Sequence, residues 1–186
     1  MPPWMPGPAS PALNHDRSLD PIQIDLLQNW AAAGGQVDRS REQILEPISA
    51  GGSEAIRADL LLTLPVIYEP STARQDDYRC FLVDPELTNG AFVTGFEVVP
   101  GQRSIVHHVI AYQAASWADS EAQLKESEDE RPGWECFGGT NLQSEDGGLS
   151  NSIGTWVPGA LPTIFPQGTG RYFPPGNKIV IQVHYN

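Results

Sequence analysis

Apolar and polar positions change their period once along the 186 residues. Near the start the pattern is helical. Ile22, Leu26, Leu27 and Trp30 fall on one helical face, Asp20 stands as N-cap, Pro21 takes the first helical position, and Gln23 completes a capping box. Gly34 and Gly35 supply the stop. Residues 1–17 ahead of it are Pro-rich and aperiodic, which predicts an extended arm, because proline brings no N–H to a helix or ladder. A polar, Gly-containing linker at 37–56 carries the expected domain boundary, and from 57 onward the pattern becomes short β-rich runs. The predicted strands are 58–68, 78–83, 91–99, 104–113, 152–157 and 178–185, mostly separated by Pro, Gly or Asn. Such runs without regularly alternating helices predict a mainly β chain, an antiparallel sandwich rather than a parallel α/β sheet. The exception is 117–130, acidic with Ala122 and Leu124, which reads as a solvated surface helix or loop. It lacks the alternating oxygen ligands and central glycine of a calcium loop.

Composition narrows the partners. With 11 Lys+Arg against 23 Asp+Glu, a formal charge of −12 and no basic cluster, nothing counters a phosphate backbone, so nucleic acid and anionic membrane surfaces are poor partners. The longest apolar runs, such as 60–62 and 179–181, fall far short of the ~20 residues of a membrane-spanning helix. Gly (18) and Pro (17) are abundant, in keeping with a loop-rich β domain. Cys80 and Cys136 form neither CxxC nor CxxCH, which excludes haem attachment and thiolate zinc fingers within this chain and leaves one disulfide or two separate thiols open. The opening stretch MPPWMPGPASPALNHD shows no signal peptide.

Three of the four histidines lie in strand-like segments: His107 and His108 in SIVHHVI, and His184 in KIVIQVHY. Neighbours on a regular strand point to opposite faces, so His107 and His108 can share one ion only where the strand bulges, ends or twists. On the last strand Lys178, Val180, Gln182 and His184 share the more polar face, where a site could open to solvent, opposite Ile179, Ile181, Val183 and Tyr185. A lone strand histidine is usually a structural or half-exposed side chain, and His15 in the arm reads as a solvated bystander. A true trio of neutral imidazoles suits copper or zinc, with copper favoured by intrinsic affinity.

Longer motifs carry a resemblance. TGFEVVPGQRSIVHHVIAY at 94–112, GTWVPG at 154–159, the Pro/Gly-rich stretch 162–176 and KIVIQVHYN at 178–186 resemble the copper type II, ascorbate-dependent monooxygenases, the family of peptidylglycine and dopamine hydroxylases. The resemblance covers about 57–186 and matches the amino-terminal half of that catalytic core; the sparse cysteines resemble bacterial members. It implies a jelly-roll-like β-sandwich in which His107, His108 and His184 hold one copper that relays electrons from a reductant such as ascorbate or a cytochrome. A second copper, held by two His and one Met of a further domain, would activate dioxygen to hydroxylate a C–H bond. None of that second set is present here, so the chain is expected to be an incomplete oxidoreductase with no substrate-attacking residue of its own. A Cys80–Cys136 bridge would fit an extracytoplasmic setting, periplasmic or secreted. The arm and helix at 1–36 resemble the tail of a c-type cytochrome module, with Met1 in the place of an axial haem ligand and no attachment motif to hold haem. Two rival readings are a non-catalytic copper or electron-transfer module and a metal-free β-sandwich interaction domain.

Overall fold

The computed structural model describes residues 18–36, 56–143 and 152–186; Met1, His15, the Pro-rich arm and nearly all of the predicted linker lie outside the described residues. The chain divides into two compact units, Met1–Ser49 and Ala50–Asn186. In the first, α1 (Pro21–Ala32) forms where its capping residues dictate. Asp20 accepts from the Gln23 backbone N–H at 2.8 Å, and the Gln23 side chain accepts from the Asp20 N–H at 3.0 Å. Two of the donors that a helix start leaves orphaned are thereby satisfied. At the other end Gly34 adopts φ +92°, a conformation open to glycine.

The second unit is mainly antiparallel β. Among the described residues its elements run β1 (Asp77–Val83), β2 (Ala91–Val93), β3 (Gly95–Phe96), β4 (Val106–Ala114), α2 (Ala118–Ser127), β5 (Trp134–Glu135), β6 (Ser152–Trp156), β7 (Thr163–Ile164), β8 (Arg171–Phe173) and β9 (Lys178–Tyr185). One five-stranded sheet has the order β5-β1-β9-β4-β6, and two-stranded ladders join β2 to β8 and β3 to β7. β9 takes the centre with both faces buried: Ile179 and Val183 on one, Val180, Gln182 and His184 on the other. On one face Cys80, Tyr112, Ala114 and Val180 pack against Ala118 and Ala122 of α2, Trp134 and Cys136. On the other, Phe81, Val106, Val109, Trp156, Val183 and Tyr185 form one cluster and Ile153, Phe173 and Ile179 another. β3 reaches this second face through Phe96, whose ring lies where a Cβ on Gly154 would come within 1.9 Å. Only glycine permits that approach.

Several expected elements differ. The stretch 58–68 joins no ladder; Leu62, Leu64 and Tyr68 turn toward the core clusters while Leu61 and Ile67 stay exposed. Alternation buried those side chains without supplying a partner strand. The run 91–99 splits into β2 and β3, which pair with different strands, and β5, β7 and β8 are too short for periodicity to reveal. The acidic stretch at 117–130 holds α2, which is not wholly solvated: Ala118 and Ala122 are buried against the sheet. The face of β9 expected to be the more open is also covered, with Val180, Gln182 and His184 all buried. α2 and the segment around 134–139 lie over it, and the Gln182 amide donates to the Gly139 carbonyl at 2.7 Å.

Candidate metal centre

The obstacle to two adjacent histidines sharing one site is removed by an irregularity in the β4–β9 ladder. Val106 pairs with Tyr185 and His108 with His184, so two steps on β4 answer one on β9 and His107 is the extra residue. A bulge of this kind re-aims a side chain. As a result His107 and His108 face one another and His184: His108 Nδ1 lies 3.3 Å from His107 Nδ1 and 3.3 Å from His184 Nδ1. One ligand atom from each of the three lies within 4.8 Å of the others. His107 is exposed, His108 half-buried and His184 buried, so the cluster opens to solvent past His107.

These positions fit a metal. Two nitrogens at about 2.0–2.1 Å from a common ion and in tetrahedral relation stand roughly 3.3 Å apart, matching both Nδ1 separations. Nitrogen lone pairs turned toward one point are a poor mutual arrangement without a proton or a cation between them. Burial, with the like charges of His184 and His107, lowers the His108 pKa and favours the neutral ring that a metal requires.

The surroundings hold His184 firmly. Its Nε2 lies 2.7 Å from Asp76 Oδ1, and the same oxygen accepts from the Asn186 side-chain amide at 3.0 Å. Hydrogen bonds from Asn186 and His184 keep the Asp76 carboxyl below its ordinary value. The Tyr78 ring stacks on His184 with centroids 4.0 Å apart and planes within 9°, and Phe137 meets Tyr78 edge-on at 5.0 Å. Neither Asp76 nor Tyr78 stood out in the sequence. The signal was present only as register: Asp77 pairs with Tyr185, so one step further along the two strands sets Asp76 across from Asn186.

Cys80 and Cys136 form a disulfide that closes a separation of 56 residues. It anchors the cover of the histidine face, since the Cys136 N–H donates to the Tyr78 carbonyl at 3.2 Å. An intramolecular bridge is compatible with an extracellular protein, and among the described residues no helix is long and apolar enough to cross a membrane. No protein-family model matches the chain, and no curated protein matches it.

Proposed function

We propose that the region 57–186 is the copper-binding, electron-relaying half of a copper-dependent monooxygenase of the peptidylglycine and dopamine hydroxylase type. The observation that carries this reading is the convergence of His107, His108 and His184 on one point through their Nδ1 atoms. Those three side chains would hold the ion, and copper is favoured over zinc for an all-imidazole set by intrinsic affinity. Bound copper supplies a one-electron couple. The chain's own part is to keep His108 neutral and the three rings oriented, to cover His184 with Tyr78 and to leave the His107 side open to an external reductant such as ascorbate or a cytochrome.

In this reading a further domain with a second copper carries the dioxygen chemistry, and the fold is the jelly-roll-like sandwich of that family. The motifs at 94–112, 154–159 and 178–186 support it, and the disulfide fits a periplasmic or secreted location. Copper titration of the metal-free protein followed by EPR tests the assignment. One equivalent of a nitrogen-coordinated cupric signal is expected, abolished by His108→Ala. Absence of that signal in the wild type, or its persistence in the variant, overturns the copper reading.

A further inference from the structure

The geometry points to Asp76 as the positioning residue that commits His184 to offer Nδ1, with Asn186 holding the carboxylate in place. This deepens the metal reading above and rests on it. A neutral imidazole carries one proton on either ring nitrogen, and whichever nitrogen keeps it cannot bind a metal. An ionised carboxylate only accepts hydrogen bonds. Asp76 Oδ1 at 2.7 Å from His184 Nε2 therefore requires the proton on Nε2 and leaves the Nδ1 lone pair facing His108.

Two further contacts make the arrangement specific. The Asn186 amide donates to the same Oδ1, and the Asn186 backbone N–H donates to the Ile105 carbonyl at 3.0 Å. The residue preceding β1, the end of β9 and the entry to β4 are thus tied together beside the three rings. Stacking on Tyr78 sets the plane of the His184 ring but is indifferent to which nitrogen holds the proton. Among the described residues, His184 alone of the three has its second ring nitrogen hydrogen-bonded. The Asp76 side chain is 48 % exposed, so water can fill its place without opening the core. Water both donates and accepts, and so does not enforce the tautomer.

Long-range 1H–15N NMR of the metal-free protein at mildly alkaline pH reads the His184 tautomer directly. The wild type is expected to be Nε2–H. Asp76→Ala should mix the tautomers and weaken copper binding about 10- to 100-fold, with melting close to wild type. Asp76→Asn, whose amide oxygen still accepts from Nε2–H, should recover part of both. An Nδ1–H wild type, or an Asp76→Ala protein with unchanged tautomer and unchanged copper affinity, overturns the inference. The tautomer measurement contains no metal, so a shift in Asp76→Ala alongside a wild type that binds no copper would sink the copper reading and leave the positioning role standing. Equal copper binding by the two proteins with an unchanged tautomer would do the reverse.

Discussion

The two faces of β1 treat their polar groups in opposite ways. On one face Arg79 is fully buried and fully answered. Its guanidinium donates to Asp129 at 2.5 Å and to the carbonyls of Arg131, Pro132 and Gly133 at 2.8, 2.7 and 3.0 Å, and it lies over the Tyr68 ring at 5.3 Å. Next to it Asp77 accepts from the Tyr68 hydroxyl, the Ser71 N–H and Arg131. On the other face Tyr78 leads to three imidazoles whose nitrogens face one another, with Asp76 reaching only the outer nitrogen of His184. A matched network holds a wall in place, because each buried charge has its partner. Unmatched lone pairs in a cluster that opens to solvent are suited to receiving a cation.

The largest expected effect breaks the matched face. Arg79→Met leaves Asp129 and three carbonyls without their donor and should cost about 3–5 kcal/mol. Urea denaturation measures that loss, and copper binding by the folded fraction should persist; a loss under 1 kcal/mol would make the network an ornament of the surface. Next comes the bridge. Replacing Cys80 and Cys136 by alanine frees a loop spanning 56 residues and should lower stability by about 2–4 kcal/mol. Since the bridge fixes the segment whose Cys136 backbone N–H donates to the Tyr78 carbonyl, loosening that segment should lower copper affinity as well, and an unchanged affinity would detach the bridge from the site.

Acid separates the two faces in order. Burial and the neighbouring imidazoles lower the folded pKa of His108, so its contribution is present above the unfolded value of about 6.5 and declines as pH falls toward the folded one. Burial opposes the charge on Asp77, yet the Ser71 N–H, the Tyr68 hydroxyl and Arg131 outweigh it and keep that carboxyl below its ordinary value. Burial likewise opposes charge on Asp129, where Arg79 and the Arg131 N–H prevail. Their stabilisation is complete above about 3.9 and is lost as pH falls through the folded values. In the metal-free protein His108 should thus titrate first, by NMR, and unfolding should follow only in stronger acid. Simultaneous loss would erase the distinction. The smallest effect is expected at the sheet edge, where Arg74 and Glu135 form a 2.9 Å pair with both side chains more than half exposed. Arg74→Ala should shift stability by no more than about 0.5 kcal/mol, and a larger change in the melting curve would give this pair a role beyond the surface.

Local interactions were legible in the chain itself. The α1 start followed from Asp20, Pro21 and Gln23 because a capping box closes within four residues. Strands at 78–83, 152–157 and 178–185 followed from runs long enough to show β-forming side chains between turn signals. The three histidines stood out by residue type and motif. Alternation could not say that 58–68 would find no ladder partner, nor that the more polar face of β9 would be covered by α2 and the bridged segment. The site needed more still. His108 meets His184 across 76 residues of chain and Asp76 meets it across 108, through a register that only the paired strands define. So the sequence by itself determined the helix, the β character and the supply of imidazoles, all of which depend on near neighbours. The bulge at His107, the shared Nδ1 point and the carboxylate behind it were decided by the tertiary structure, because each is a property of how strands far apart in sequence are set against one another.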